Sequence, residues 1–462
     1  MAVITHPRRA LSTNPLKSSA PLGAAMAYLG IDGAIPLFHG AQGCTAFAMV
    51  HLVRHFKEAI PLQTTAMNEV SAILGGAEQI EEAITNLRKR AAPRFIGIAS
   101  TALTETRGED VAGELREMRA RRRDFDDTAI VYAATPDFTG GLEEGWARAV
   151  EAVIGALVPE VDPVWRDPDL RQVNLLCSSA LTVADVDELV RLIRSFGLSP
   201  IVLPDLSRSL DGHLAEDWRG HSLGGTTVAD IGRMGRSVHT LAIGESMRTA
   251  ARMIEDRAFV PARVFPTVTG LKPTDAFIRT LMDLSGQDAP AGIKRDRARL
   301  MDAQLDAHFF TGGVRVAIGA DPDLLLALSQ ALAAMGAEVV TAVTTCDRPE
   351  VLGQVPAAEV IVGDLGDLER DAAARGAQVI LTHSHGRHAA GRLGLPLIRA
   401  GFPVFDRIGA QDICRVGYRG SRAFLFEVAN TMQSLPHNAR PADFGAAPIP
   451  QEFEHVPHAA AG

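Results

Sequence analysis

Cys44 is the residue whose type and surroundings best suit chemistry. An apolar run from Gly33 to Phe38 breaks at Gly40 and Gly43 and then delivers this single cysteine. The residues that follow predict an amphipathic helix, because apolar side chains recur there at three- and four-residue spacing. These side chains are Ala46, Met49, Val50 and Val53. Cys44 is therefore expected at or near a helix N-terminus.

That position gives the Cys44 sulfur several possible roles. Unpaired backbone N–H groups and the helix dipole favour a thiolate at a helix N-terminus. Gly40 and Gly43 let the backbone pass close to a bulky group without a Cβ in the way. The sulfur could be a nucleophile, a redox thiol or a metal-cluster ligand. A small apolar residue packed behind a helix is the commoner fate of a lone cysteine.

The other cysteines do not form a motif with Cys44. Cys177, Cys346 and Cys414 are widely scattered, and C-x-x-C does not occur, so the sequence contains no disulfide framework and no self-sufficient zinc or ferredoxin-like motif. We predict that Cys177 is a core residue and that Cys346 is a loop thiol without a partner. If Cys44 binds an iron–sulfur cluster, most of the other ligands must come from a second chain.

Three histidines lie within six residues directly after a predicted strand. They are His383, His385 and His388. Their spacing matches no standard zinc motif, so we predict solvent-facing loop histidines rather than metal ligands. No serine or cysteine nucleophile stands beside a recognisable base, and we assign no catalytic residue. The role of this loop stays open.

Composition limits the class of protein. The chain has 462 residues, of which 47% are apolar and 22% charged, with a net charge of −9. An acidic balance of this kind argues against non-specific nucleic-acid binding. No apolar run reaches the roughly 18 residues of a membrane span, and the N-terminus lacks a signal peptide. We therefore expect a cytoplasmic protein in a reducing compartment, without a membrane partner.

Strands and helices alternate along most of the chain, which predicts parallel sheets flanked by helices. The clearest unit is a strand over residues 315–320, after which Asp321 is expected to cap a helix with Pro322 in its first turn. Neither Gly-x-Gly-x-x-Gly nor a P-loop is present. We predict an α/β fold of three Rossmann-like doubly wound domains over residues 1–165, 166–305 and 306–435. An extended arm is expected over the first thirty or so residues, and a mobile tail over 436–462.

Three runs carry a resemblance to a known family. They are Ser19–Ala34, Pro36–Cys44 and Val53–Met67. They closely resemble the NifN family, the β-like scaffold subunits among the nitrogenase component 1 proteins. The resemblance extends over about residues 15–435, and it implies three α/β domains and a role in assembling the nitrogenase iron–molybdenum cofactor (FeMo-cofactor).

The resemblance also implies a metal site. The β subunit of dinitrogenase holds half of a P-cluster with three cysteines, and only Cys44 of this chain matches one of them. Leu62 and Ala102 stand at the other two positions. The resemblance therefore implies a smaller [4Fe–4S] cluster between two subunits, with Cys44 as one ligand and Gly40 and Gly43 behind it. The other three ligands would be cysteines of a NifE-like α subunit.

The implied partners follow from the same resemblance. They are the NifE-like α subunit in an α2β2 heterotetramer, the nitrogenase iron protein as electron donor, and a donor of the FeMo-cofactor precursor. The precursor itself would be held mainly by the α subunit. This makes the chain mainly a scaffold subunit with an oxidoreductase-type electron relay. One alternative is a β-like subunit of a light-independent protochlorophyllide or chlorophyllide reductase. Others are a purely structural subunit without metal and a free-standing thiol enzyme.

Overall fold

The computed structural model describes residues 2–7, 12, 14–213 and 219–435. The mobile tail predicted over 436–462 lies outside these residues. No helix within the described residues has both the length and the apolar character that are needed to span a bilayer.

Fourteen strands occur in the described residues. They are β1 (Val3–Thr5), β2 (Ala34–His39), β3 (Gln63–Thr64), β4 (Phe95–Ser100), β5 (Ala129–Ala133), β6 (Asp169–Cys177), β7 (Ser199–Leu203), β8 (Ser237–Ile243), β9 (Ala262–Phe265), β10 (Arg315–Ala320), β11 (Glu338–Thr344), β12 (Glu359–Val362), β13 (Val379–Thr382) and β14 (Leu397–Arg399).

Seventeen α-helices occur in the same residues. They are α1 (Ala20–Leu29), α2 (Gln42–His55), α3 (Glu69–Leu74), α4 (Ala77–Ala91), α5 (Ala102–Arg107), α6 (Val111–Arg121), α7 (Leu142–Leu157), α8 (Val183–Ser195), α9 (Val228–Gly232), α10 (Arg248–Ala258), α11 (Leu271–Ser285), α12 (Ala291–Thr311), α13 (Pro322–Ala333), α14 (Pro349–Leu352), α15 (Leu365–Ala374), α16 (Arg387–Leu393) and α17 (Gly417–Gln433).

The strands form three sheets in which every pairing between these strands is parallel. Their strand orders are β3-β2-β4-β5, β7-β6-β8-β9 and β1-β12-β11-β10-β13-β14. In each sheet the chain winds outward from an inner strand, first to one side and then to the other. The inner strands are β2, β6 and β10. The predicted doubly wound α/β fold is confirmed.

Burial of the central strands explains why the sequence predicted them. Every residue of β2 and of β4 is buried. Continuous apolar runs are typical of parallel strands that are covered by helices on both faces. Polar residues begin where these strands end, so the loops that can carry function lie at the carboxyl edges of the sheets.

The extended arm predicted for the first thirty or so residues is wrong over residues 20–29, which form α1. β1 pairs with β12 at the edge of the third sheet, and every residue of α1 is buried. An added Cβ at Gly23 would lie 1.9 Å from the Leu142 carbonyl oxygen, and one at Gly145 would lie 1.8 Å from that of Ala20. α1 and α7 thus pack backbone to backbone. Pro21, taken as a sign of extended chain, instead lies in the first turn of α1, where proline is tolerated.

The three predicted domains correspond broadly to the three sheets. The first sheet spans residues 34–133, the second 169–265, and the third 315–399 together with β1. The boundary after residue 165 falls between two sheets, and the one after residue 305 falls within α12. The division into domains stays a prediction.

Candidate functional site

Cys44 lies in the first turn of α2 and is exposed. The helix follows β2 after two residues, and its N-cap, Ala41, has no side-chain oxygen to bind the first N–H groups. The N–H of Cys44 itself donates to the Ala41 carbonyl at 3.2 Å. The sulfur is therefore accessible at a helix N-terminus, as predicted.

Gly40 and Gly43 differ in their surroundings. Gly40 is buried, and an added Cβ would lie 2.2 Å from Thr101 Oγ1. The N–H of Gly40 donates to Thr65 Oγ1 at 3.2 Å, so it is not available to a bound group. Gly43 is exposed, and an added Cβ would meet nothing within 4 Å. Gly40 is thus required by packing, while the space beside Gly43 is open.

The surroundings of Cys44 oppose a free thiolate. Desolvation by neighbouring groups raises the pKa of the thiol even though the side chain is exposed, and the Asp137 carboxylate raises it further. The backbone at the helix N-terminus lowers the pKa, but this effect is the smaller one. The backbone at the helix N-terminus therefore acts in the predicted direction, but desolvation and Asp137 outweigh it. Asp137 was not predicted from the sequence, although it follows β5 and so belongs to the edge that carries functional loops.

The other three cysteines are less exposed than Cys44. Cys177 is buried in the core, as predicted. Cys346 is also buried, and its Sγ donates to Glu144 Oε2 at 3.2 Å, so the prediction of a thiol without a partner is wrong. Cys414 is half-buried. No group of three or more His, Cys, Asp or Glu side chains within the described residues could hold a metal ion.

A cavity of about 960 Å³ lies beside Cys44. The ends of five strands meet there, because the carboxyl edges of the first and third sheets face each other across it. The residues that follow these strands and line the cavity are Cys44, Thr101, Thr345, Gly363 and His383. Ligands in doubly wound sheets bind beyond the carboxyl ends of the strands, where the strand order reverses. The fold thus places Cys44 at the edge of the molecule best suited to binding.

The histidine loop lines the same cavity and is not simply solvent-facing. His383 is buried, and its Nε2 lies 3.2 Å from the Leu16 carbonyl oxygen. His385 is half-buried, with its ring 5.9 Å from that of His51 in α2 and 5.0 Å from that of Phe405. Only His388 is exposed as predicted. The prediction is therefore wrong for His383.

Burial of His383 should make the protein sensitive to acid. Burial lowers the pKa of this imidazole to about 4, and the neighbouring His385 and His51 also oppose its protonation. The unfolded chain binds this proton near pH 6.5, so the free energy of unfolding is highest above pH 6.5 and falls as the pH drops toward 4. The loss approaches about 3 kcal/mol, because one pKa unit corresponds to about 1.4 kcal/mol.

Urea unfolding midpoints at several pH values between 7 and 4 test this expectation. His383→Gln retains a donor for the Leu16 carbonyl but cannot titrate, so its midpoint should fall less steeply with acid. His388→Gln removes an exposed imidazole and should keep the wild-type slope. Equal slopes for wild type and His383→Gln would contradict the assignment.

The exposed face of α2 is apolar. Phe47 is 70% exposed, Val50 44% and Val53 47%, whereas the buried face consists of Thr45, Ala48 and Leu52. The predicted amphipathic helix is thus present with its faces exchanged, because three of the four apolar residues used for the prediction, Ala46, Val50 and Val53, are exposed. An apolar stripe left in water beside Cys44 is typical of a protein–protein contact.

Comparisons with known proteins agree over nearly the whole chain. Residues 19–433 match the family described as nitrogenase component 1 type oxidoreductase. A protein named nitrogenase iron-molybdenum cofactor biosynthesis protein NifN from Rhodobacter capsulatus is 72% identical over 461 residues, which is 100% of both chains. The protein of the same name from Klebsiella pneumoniae is 39% identical over 440 residues, which is 95% of both chains.

Solved structures give the same picture of the fold. A chain of the structure described as nitrogenase Cp1 at pH 6.5 superposes with a TM-score of 0.86 and 28% identity. The superposition covers 94% of the present chain and 97% of the other. A chain of nitrogenase Cp1 at pH 5 superposes with a TM-score of 0.68 and 12% identity, and this second match concerns the fold alone.

Proposed function

Because the chain belongs to the nitrogenase component 1 type oxidoreductase family, we propose that it acts in the biosynthesis of the nitrogenase iron–molybdenum cofactor, as one subunit of a NifEN-type scaffold. The observation that carries the proposal is the 72% identity, over the full chain, to a protein named for this role. None of the relatives described above is named as a chlorophyllide reductase, which favours the scaffold over that alternative.

In this proposal Cys44 supplies one ligand to a [4Fe–4S] cluster shared with a NifE-like α subunit. The donor set fits one corner of such a cluster, since the thiol is exposed and the space beside Gly43 is open. Thiolate is the form that binds iron, so binding would release the proton that the raised pKa retains. When bound, the cluster would supply one-electron transfer at the seam between the two chains.

The apolar stripe of α2 supports a partner at this surface. Phe47, Val50 and Val53 lie on the same helix as Cys44, within three turns of it. A chain that covers this stripe would also cover the thiol, and could bring further ligands to it. We propose that the NifE-like subunit binds here and that the nitrogenase iron protein docks over the same seam to deliver electrons. A FeMo-cofactor precursor would be handed over by a separate donor and held mainly by the α subunit.

A second apolar stripe supports the α2β2 stoichiometry. Met301, Leu305 and Phe309 are exposed at four-residue spacing on α12. Exposed basic residues precede the stripe, and exposed acidic residues follow its first two members, Met301 and Leu305. The basic residues are Lys294, Arg295 and Arg299, and the acidic ones are Asp302 and Asp306. An antiparallel pair of α12 helices would place the basic half of each against the acidic half of the other, so we propose that a second copy of this chain binds here.

Co-expression with each candidate α-like partner tests the function. The NifE-like chain should give a stable complex with an α2β2 mass, and this complex should activate cofactor-free dinitrogenase when it is supplied with precursor, iron protein, molybdenum and homocitrate. Phe47→Asp should lose the NifE-like chain, because a charge would be buried at the seam. The matched change Leu305→Asp, on the other helix, should leave αβ pairs intact. A stable complex only with a chlorophyllide-reductase α chain would overturn the proposal.

A further inference from the structure

Hydroxyl groups hold the start of the short loop that joins β2 to α2 and so leads to Cys44. The N–H of Gly40 donates to Thr65 Oγ1 at 3.2 Å. The Gly40 carbonyl accepts from Thr64 Oγ1 at 3.2 Å and from the N–H of Met67 at 3.0 Å. Both backbone groups of Gly40 are therefore bound by the single segment that contains β3.

A second set of contacts fixes the residue before Gly40. The His39 carbonyl accepts from the N–H of Thr101 at 3.2 Å and from Thr101 Oγ1 at 3.0 Å. Thr101 also fills the space in which a side chain at Gly40 would lie. The start of the loop is thus fixed on two sides before the chain turns outward to Cys44.

The Thr65 hydroxyl also contacts a buried hydrogen-bond network that includes charged side chains. Thr65 Oγ1 lies 3.1 Å from His39 Nδ1, and His39 Nε2 lies 2.8 Å from Glu109 Oε2. The second oxygen of Glu109 accepts from Arg107 Nη1 at 2.7 Å. The His39 side chain is fully buried, and that of Glu109 is 5% exposed. The residues of this network come from β2, the segment after β3 and the residues around the end of α5, so it joins three parts of the first sheet region.

The direction of each hydrogen bond follows from the chemistry of the groups. A carboxylate only accepts, so the proton of the His39 ring lies on Nε2, toward Glu109. Burial lowers the pKa of His39 despite Glu109, so the ring is neutral and Nδ1 accepts the proton of the Thr65 hydroxyl. A lone pair of Thr65 then faces the N–H of Gly40. Each bond in such a chain supports the next.

We propose that His39 and Glu109 are positioning residues for Cys44, which act through the Thr65 hydroxyl on the backbone of Gly40. The inference rests on the proposed function, in which Cys44 is a cluster ligand. Neither residue touches the cluster. Their task is to hold the loop so that the sulfur meets the ligands of the partner with one geometry. Loss of the network should loosen the loop without removing the thiol.

Substitutions at Thr65 test the inference in the copurified complex. Thr65→Val removes the hydroxyl and keeps the shape, Thr65→Ser restores the hydroxyl, and Glu109→Ala removes the far end of the network. Thr85→Val is a matched control, since Thr85 Oγ1 bonds only to the Glu81 carbonyl within α4. The first readout is the alkylation rate of Cys44 by iodoacetamide after iron has been removed by chelation. The second is the EPR spectrum of the reduced complex.

Thr65→Val and Glu109→Ala should each raise the alkylation rate about fivefold, the shift expected when one hydrogen bond of a loop is lost. Both should broaden or shift the EPR signal, while Thr65→Ser and Thr85→Val match wild type in both readouts. Wild-type alkylation and EPR in Thr65→Val would overturn the inference and leave the proposed function standing. Unchanged iron content and EPR in Cys44→Ala would instead overturn the proposed role of Cys44 as a cluster ligand.

Discussion

Replacing Cys44 with alanine should remove the inter-subunit cluster from the copurified complex. The iron content of the complex should fall by the share that belongs to this cluster, and the EPR signal of this cluster in the reduced complex should disappear. Three cysteines of a partner would leave one iron without its thiolate, and the other three cysteines of this chain are buried or half-buried. Iron analysis and EPR on wild type and variant, purified side by side without oxygen, make the comparison.

Cys414→Ala is the matched control for this substitution. Cys414 is half-buried, and its sulfur donates to the Val416 carbonyl at 3.6 Å, away from α2. Its loss should leave iron and EPR at wild-type values. Since Cys44 is exposed, its substitution should also leave the melting temperature of the complex within a few degrees. A full cluster signal in Cys44→Ala would mean that this chain contributes no ligand and that the thiol is merely structural.

The sheets could be predicted because their signals are local. β10 has the predicted bounds, since buried parallel strands appear in a sequence as short apolar runs between polar loops. Thr182 accepts from the N–H of Asp185 at the start of α8, as its position before an apolar periodic segment predicts. Such signals depend only on neighbours in the sequence, which is why the α/β alternation identified the fold class.

α1 could not be predicted because its stability comes from a distant segment. Every residue of this helix is buried, so it lacks the polar face that marks a helix in the sequence. Its partner α7 lies more than a hundred residues away, and the close approach depends on Gly23 and Gly145 together. Two glycines on opposite sides of a contact carry no signal that a single sequence can show.

The exchanged faces of α2 have a related cause. An apolar stripe on a helix predicts that this face is buried, but it does not show whether the residues that bury it belong to the same chain or to a partner. Phe47 and Val50 lie on the exposed face, while Leu52 faces the core. Likewise, the position of Cys44 could be predicted from the sequence, but the raised pKa of its thiol could not. The helix N-terminus is visible in the sequence, whereas Asp137 reaches the thiol only through the fold.

Two buried carboxylates join the three sheet regions. Glu143, in the first turn of α7, accepts from the N–H of Asp323 in the first turn of α13 at 2.9 Å. Asp323 in turn accepts from the N–H groups of Glu245 and Ser246 at 3.0 and 3.1 Å, and from Ser246 Oγ at 2.6 Å. Each carboxylate thus binds the N-terminus of a helical segment in another region. Asp321 holds the N-cap position of α13 as predicted, but its side chain makes no cap hydrogen bond there.

Asp323→Ala should lower the free energy of unfolding by about 4 kcal/mol, because three donors at a buried site lose their acceptor together. Asp323→Asn keeps one acceptor oxygen and should cost less. Asp302→Ala, on the exposed face of α12, should change the free energy by less than about 0.5 kcal/mol. Urea unfolding of the three variants beside wild type measures these differences.

The site of the first protease cleavage in Asp323→Ala distinguishes loss of the Asp323 hydrogen bonds from a general loss of core packing. Asp323 and Ser246 join the third sheet region to the second, so protease cleavage should appear first at the turn over residues 245–247 that leads into α10. Cleavage spread evenly over the chain, or a stability equal to that of Asp302→Ala, would show that the carboxylate is not what holds the two regions together. Since α7 keeps Glu143, its packing against α1 should survive the substitution.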